Sequence, residues 1–148
     1  MAPRLSERAQ AAIFLAALGV AIAGLYGWVQ ASQPPPVRAT GVSGVSLVVD
    51  GAGWTIRYGR VTTTNNTAFG ILLEAARDMG FSLHWINYTL PAGVFIISIN
   101  GSANGQGGEF WQYWVNGTYG GVAADRASLS DGAAVTWRFV ADQGGASG

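Results

Sequence analysis

The chain has no cysteine and no lysine, and it carries little charge of either sign. Without cysteine it forms no disulfide, thiolate metal site, cysteine nucleophile or lipid-modified N-terminal cysteine. Its eight basic residues are all arginine, are spread singly and are balanced by eight acidic residues. No basic stripe is therefore available to neutralise a phosphate backbone, which argues against nucleic acid as a partner.

A long apolar segment without any charged residue extends from Ala11 to Val29. Its length is close to the ~20 residues that a helix needs to cross the hydrocarbon of a bilayer. Arg4 and Arg8 precede it, so the positive-inside rule predicts a cytoplasmic N-terminus over residues 1–10 and an extracytoplasmic remainder. A cleaved signal peptide is the alternative, because small residues recur near the end of the segment. We therefore expect a transmembrane helix or signal anchor over 11–29, or a protein secreted after cleavage.

The remainder of the chain shows the pattern of a single small domain. A Pro-rich linker is predicted over residues 30–41, a domain over 42–140 and a flexible tail over 141–148. Alternating strands flank one amphipathic helix, which follows a polar run at 62–66 with candidate N-caps and ends at Gly80. Alternation also predicts that Phe95, Ile97 and Ile99 share one face of a strand. This order indicates an α+β fold, in which the helix packs on a largely antiparallel β-sheet.

The most distinctive stretch is an aromatic strand from Phe110 to Val115 that ends at the turn pair Asn116-Gly117. Alternation puts Trp111 and Tyr113 on one face and Trp114 on the other, so both faces are aromatic. Either the domain covers both faces, or one face stays open as a platform for a planar or apolar ligand.

Other candidate sites are weaker. Four N-glycosylation sequons begin at Asn65, Asn87, Asn100 and Asn116, although the same residue pairs also serve as turns and caps. His84 is the only histidine and has no partner at metal-ligand spacing, so no metal site is predicted. The carboxylates are scattered, and no nucleophile and base share one motif. We therefore expect a protein that is not an enzyme and that has no resident cofactor.

Several motifs, taken in order, resemble the transcobalamin C-terminal-like domain family. They are Asn66–Leu72, Gly93–Gly101, Trp111–Gly117, Val122–Asp125 and Leu129–Gly132. The resemblance covers about Val42 to Val140, and many bacterial and archaeal members of the family share this layout of one membrane or signal segment and one domain. It implies a small two-sheet α+β domain related to the C-terminal domain of the vitamin B12 carriers.

In those carriers the domain covers one face of the corrinoid with the region that matches Trp111 to Asp125 here. The resemblance therefore implies a membrane-anchored, extracytoplasmic ligand-binding module, with cobalamin, another corrinoid or another planar molecule as the ligand. The expected contact residues are Trp111, Tyr113, Trp114, Asn116, Tyr119 and Asp125. The alternative is a structural or adhesive cell-surface domain that binds protein or glycan.

Overall fold

The computed structural model describes residues 6–141 of the chain. The chain divides into two units, with the boundary between Gln33 and Pro34. Arg4 and residues 142–148 of the tail predicted over 141–148 lie outside the described residues.

The first unit contains one long helix, α1, from Glu7 to Ala31. Its N-cap is Ser6, whose side-chain oxygen accepts a hydrogen bond from Ala9 N at 3.3 Å. None of its residues is buried, which is unlike a core helix of a globular domain. By length and composition α1 is the one helix among residues 6–141 that can cross a membrane, a test that a signal sequence also passes. The helix contains the whole predicted segment.

The second unit is built from two β-sheets and one α-helix. The strands are β1 (Val42–Asp50), β2 (Thr55–Thr63), β3 (Leu83–Thr89), β4 (Ala92–Ile99), β5 (Ser102–Ala103), β6 (Glu109–Val115), β7 (Thr118–Tyr119) and β8 (Ala134–Ala141). Five strands form one sheet in the order β2-β1-β8-β6-β7, and three form the other in the order β3-β4-β5. All neighbours are antiparallel except β1 and β8, which are parallel. The α+β prediction is confirmed.

Helix α2 (Ala68–Met79) lies between β2 and β3 in the chain. Its N-cap is Thr67, one residue beyond the predicted polar run, and Thr67 Oγ1 accepts a hydrogen bond from Gly70 N at 2.9 Å. The helix ends where Gly80 adopts a left-handed conformation with φ 74°, as the sequence predicts. One face of α2, with Ile71 and Leu72, is fully buried.

The opposite side of α2 is tied to β2 by polar contacts. The Tyr58 hydroxyl lies within hydrogen-bonding distance of Asp78 and, at 3.1 Å, of Glu74. Glu74 also accepts hydrogen bonds from the Thr63 hydroxyl and, at 2.6 Å, from the Asn65 amide. The hydrogen bond to Asp78, together with burial, raises the pKa of Tyr58 above its ordinary range. These contacts fix how the helix sits on the sheet.

The hydrophobic core of the second unit lies between the two sheets and α2. The large sheet contributes alternate residues, including Leu47 of β1 and Trp137 of β8. Trp137 packs at 5.2 Å from the Tyr113 ring and donates from Nε1 to Ala68 O at 3.3 Å. The inner face of β6 is therefore part of this core.

The prediction that Phe95, Ile97 and Ile99 share one face of β4 is wrong. Phe95 and Ile97 are exposed, whereas Ile99 is fully buried and shares the interior with Ile96. The register between β3 and β4 shifts between His84 and Trp85, so one residue of β4 is extra and the alternation reverses there. Strict alternation fails because a bulge depends on the partner strand.

Part of the predicted linker is bound to the domain. The carbonyl oxygen of Pro34 accepts a hydrogen bond from Arg126 Nη1 at 3.0 Å. The Asn66 side-chain amide donates to Arg38 O and to Thr40 Oγ1, both at 3.0 Å. These bonds hold residues 34–40 along the second unit, so this segment is not a free spacer.

Candidate functional site

A cleft of about 220 Å³ opens between β4 of the small sheet and β6 of the large sheet. The loop that follows β7 closes it. Its lining residues are mainly aromatic and apolar, with one glutamine, and are Val94, Phe95, Ile96, Trp111, Gln112, Tyr113, Tyr119, Gly120, Val122, Ala123, Ala124 and Trp137. Clefts with apolar walls and a few polar groups are the usual form of small-molecule sites.

At one end of the cleft, Asn104 joins the two sheets. Its Nδ2 donates to Ile96 O of β4 at 2.6 Å, and its Oδ1 accepts from Trp111 N of β6 at 2.8 Å. The backbone N–H of Asn104 also donates to Ile97 O at 2.9 Å. One side chain thus bridges strands that do not pair with each other.

At the other end of the cleft, Asp125 and Tyr113 connect the loop after β7 to the two strands. Asp125 Oδ1 accepts from Val94 N of β4 at 3.0 Å, and the Tyr113 hydroxyl donates to Val122 O at 2.5 Å. Burial raises the pKa of Tyr113, so this hydroxyl stays protonated and donates. The loop between these contacts is therefore attached to both strands.

The loop is also held from below by the first turn of α2. The backbone N–H groups of Ala68 and Phe69 donate to Ala127 O and Ala124 O, each at 3.0 Å. These N–H groups belong to a helix N-terminus and have no partner within the helix. The helix therefore offers two fixed N–H donors to the carbonyl oxygens of the loop.

The Tyr113 ring needs a glycine opposite it. A Cβ on Gly120 would lie 2.1 Å from the ring, which is closer than real Cβ contacts come. The backbone of Gly120 also donates from its N–H to Tyr113 O at 2.8 Å. The loop can therefore approach the ring and β6 only because residue 120 has no side chain.

The structure divides the six predicted contact residues. Trp111, Tyr113 and Tyr119 line the cleft, and Asp125 anchors one end of it. Trp114 lies on the opposite face of β6, where its ring meets Tyr119 edge-on at 5.6 Å. The guanidinium of Arg138 also lies over this ring, at 5.2 Å.

Asn116 has a structural position in the turn between β6 and β7. Its φ is 50°, and its Oδ1 accepts from Ala134 N at 2.9 Å. Asparagine tolerates this left-handed conformation better than most residues do. Asn116 is therefore not brought to the cleft.

Asn104, Gly120 and Trp137 are site residues that the sequence analysis did not identify. Asn104 lies in a glycine-rich loop, where asparagine is typical of turns. Nothing in its spacing indicates that both sheets converge on its side chain. Trp137, by contrast, lies in a strand with clear alternation, which could have indicated its place beside Tyr113.

The four sequon asparagines are exposed in the structure. Asn65 uses its amide to donate to Glu74, whereas Asn87 lies on the edge strand β3 and Asn100 lies in a turn. His84 is also exposed on β3. Within residues 6–141, no group of three or more His, Asp or Glu side chains is placed to hold a metal ion.

The fold defines the class of this protein as a transcobalamin-like domain. Residues 67–141, half of the chain, match the profile of a family described as "Domain of unknown function (DUF4430)", and the chain belongs to this family. DUF4430 is a transcobalamin-like family, so the resemblance seen in the sequence is confirmed. No curated protein matches the chain.

Two of the solved structures that share the fold illustrate the likeness. One is described as a "putative metal binding protein" from Ruminococcus gnavus ATCC 29149; it has 14% sequence identity and a TM-score of 0.50, and the match covers 66% of this chain and 95% of that one. The other is haptocorrin in complex with Cbi, with 18% identity and a TM-score of 0.50. That match covers 76% of this chain and 28% of the haptocorrin chain. At these identities the likeness concerns the fold alone.

Proposed function

We propose that this protein is a membrane-tethered, extracytoplasmic module that binds a small ligand in the cleft between β4 and β6. The observation that carries the proposal is the aromatic lining of that cleft, with Trp111, Tyr113 and Trp137 on the β6 and β8 side. Flat ring surfaces of this kind favour a planar or apolar ligand. A corrinoid is the first candidate, because haptocorrin, whose chain matches this fold over 28% of its length, is described in complex with Cbi.

Binding without catalysis is proposed because of the chemistry of the lining. The cleft residues that the structure describes include no histidine, carboxylate, serine or threonine. A general acid or base must come within hydrogen-bonding reach of the reacting atoms. Asp125, the nearby carboxylate, already accepts a hydrogen bond from Val94 N and pairs with Arg126 at 3.4 Å.

The binding proposal is tested by titrating the full chain in detergent with cobalamin and cobinamide. Tryptophan fluorescence reports on the cleft because Trp111 and Trp137 line it. We expect saturable quenching beyond that of N-acetyl-tryptophanamide, which corrects for light absorbed by the ligand. Absence of quenching by every corrinoid removes the corrinoid version.

A matched pair of variants locates the binding. Val122 lies at the mouth of the cleft and is 41% exposed, so Val122→Phe narrows the opening with little effect on packing. Met79→Phe places the same ring on α2, where the native side chain is 49% exposed and does not line the cleft. We expect at least tenfold weaker binding in the first variant and unchanged binding in the second. Equal affinities would place the ligand elsewhere.

The extracytoplasmic location is tested with an introduced cysteine, since the native chain has none. Asn87→Cys puts a single thiol on an exposed position of β3. We expect a membrane-impermeant maleimide to label this variant on intact cells. Labelling only after lysis would place the domain in the cytoplasm. The intact mass of the exported protein shows whether the leader is cleaved.

A second candidate function is a surface domain that binds protein or glycan. It is supported by exposed apolar side chains on β3 and β4, among them Ile86, Tyr88 and Phe95. Tyr88 and Phe95 pack edge-on at 6.1 Å and form part of one exposed patch. Added hexose mass at the sequon asparagines, together with silence in the corrinoid titration, would favour this function.

A further inference from the structure

Backbone N–H and C=O groups lie along the cleft on the free edges of strands β4 and β6. In an antiparallel pair, the N–H and C=O of one residue point to the same edge of the strand. On β6, Trp111 N–H is directed to Asn104 and Tyr113 C=O to Gly120, away from the partner strand β8. The Trp111 C=O and the Tyr113 N–H must therefore point the same way.

The facing edge of β4 has the same arrangement. Val94 N–H is directed to Asp125, and Ile96 C=O accepts from Asn104. Both residues therefore turn their backbone polar groups away from β3 and toward β6. The Val94 C=O and the Ile96 N–H remain on this edge, where neither sheet supplies a ladder partner for them.

The two edges thus place four successive pairs of backbone groups opposite each other across the cleft. We call each pair, with one group from β4 and one from β6, a rung. The outer rungs are filled by groups of the chain itself, with Asn104 at one end and Asp125 and Gly120 at the other. The inner rungs are Ile96 N–H with Trp111 C=O, and Val94 C=O with Tyr113 N–H. Each inner rung offers one donor and one acceptor, on opposite walls of the cleft.

Asn104 shows which chemical group fits such a rung. Its side-chain carboxamide lies between the strands, donates to β4 at 2.6 Å and accepts from β6 at 2.8 Å. A carboxamide carries its donor and acceptor on separate atoms of one plane. A carboxylate has no proton to donate to the carbonyl of a rung, and an N,N-dialkyl amide has none either.

We propose that the inner rungs of the cleft recognise carboxamide groups of the ligand. A ligand amide repeats the bridge made by Asn104, with its N–H donated to Trp111 C=O and its oxygen accepting from Ile96 N–H, or with the corresponding bonds to Val94 and Tyr113. The rings of Trp111 and Tyr113 then contact the apolar part of the same molecule. This inference rests on the proposed function, since it names the ligand class of the same cleft.

The first test is amide hydrogen exchange of the full chain in detergent, followed by NMR. Without a ladder partner, the Ile96 and Tyr113 N–H groups exchange at least tenfold faster than Gln112 N–H, since Gln112 pairs with Arg138 in the β6–β8 ladder. Benzamide is the probe because it joins one carboxamide to one ring. We expect it to slow exchange at Ile96, Tyr113 or both, and to leave Gln112 unchanged.

Two matched probes isolate the amide. N,N-Dimethylbenzamide keeps the ring and the carbonyl but has no N–H, and benzoate has two acceptors and a charge. We expect each to bind at least tenfold more weakly than benzamide. Equal binding of the dimethyl compound overturns the inference. So does slow exchange at both Ile96 and Tyr113 before any ligand is added, because the edges would then already be paired.

Two further ligands identify the source of the carboxamide and separate this inference from the proposed function. Cobinamide represents an amide-bearing macrocycle, and N-acetyl-asparagine methylamide represents a peptide side chain. Protection of Ile96 or Tyr113 by either supports the inference and assigns the source. If cobinamide binds to the native chain but not to Val122→Phe, and protects neither the Ile96 nor the Tyr113 N–H, the cleft is a binding site but does not recognise carboxamides. If cobinamide does not bind at all, and benzamide and both ligands leave the cleft amides unchanged, the carboxamide inference and the corrinoid version of the proposed function both fail.

Discussion

Asn104 is the residue whose replacement tests the architecture of the cleft most directly. Asn104→Ala removes the hydrogen bonds to Ile96 O and Trp111 N. Both partner residues are buried, with exposed fractions of 4% and 8%. A net hydrogen bond contributes about 0.5–1.5 kcal/mol, and a buried group left without a partner costs about 1–3 kcal/mol. Because water can enter from the adjacent cleft, we expect a combined loss of about 2–3 kcal/mol.

Asn104→Asp is the sharper version of the same test, because it exchanges one nitrogen for one oxygen without changing the shape. The new oxygen faces Ile96 O and cannot donate, while the bond from Trp111 N is kept. Two facing acceptors repel, so we expect a loss of stability of about 2 kcal/mol or more. A merely space-filling role for Asn104 would instead make this variant nearly neutral.

Urea unfolding of the full chain in detergent, followed by tryptophan fluorescence, measures both variants. The midpoint should fall while the slope stays unchanged, which shows that stability and not compactness has altered. Asn87→Ala is the control, because Asn87 is exposed on an edge strand and surface changes are usually within about 0.5 kcal/mol. If Asn104→Ala also costs less than about 0.5 kcal/mol, the bridge between the sheets does not hold them.

Three further predictions concern single residues. Gly120→Ala should lower the free energy of unfolding by about 2 kcal/mol or more, because its Cβ would overlap the Tyr113 ring. Gly121→Ala is the control and should be tolerated, since a Cβ built on Gly121 has no neighbouring atom within 4 Å. The thermal midpoints of the two variants test this, and equal midpoints would contradict it. Thr67→Ala should lower stability by about 1 kcal/mol and Thr67→Ser should restore most of it, as seen in urea midpoints, since the serine hydroxyl can still cap α2; equal loss in both would refute the cap. The pKa values of Tyr58 and Tyr113 are raised in the folded state, so the folded chain retains protons that the unfolded chain releases above about pH 10. The contribution of these two tyrosines to the free energy of unfolding should therefore be constant below that pH and fall above it, and Tyr58→Phe should reduce the fall; a pH-independent midpoint between pH 9 and 11 would contradict this.

Local chemistry was sufficient to predict much of the fold. Alternation in Val45, Leu47 and Val49 predicts the buried face of β1, and all three are buried. The end of α2 at Gly80 follows from the need for a left-handed residue there. The buried face of β1 and the end of α2 depend on residues close together in the chain, so they can be predicted from the sequence alone.

Features that depend on distant partners could not be predicted in this way. The burial of Ile99 beside Ile96 results from a register shift opposite β3, and the parallel pairing of β1 with β8 joins opposite ends of the domain. The short strands β5 and β7 lie in segments that resemble loops, because two residues show no alternation. Their identity as strands comes only from the strands they pair with.

The site was predicted in part, for the same reason. The aromatic residues of β6 are visible in the sequence, but whether Trp111 or Trp114 faces the cleft depends on which face of the sheet is covered. The importance of Asn104 appears only when two strands that do not pair are seen on either side of it.

By itself, the sequence determined an apolar N-terminal helix, one capped amphipathic helix and a set of alternating strands, because hydrophobic periodicity and turn chemistry act over a few residues. The tertiary structure alone decided that two sheet edges face each other across an aromatic cleft, and that their inner backbone groups have no ladder partner. That outcome depends on strand pairing between residues far apart in the chain, where burial and hydrogen bonding of the whole domain set the register.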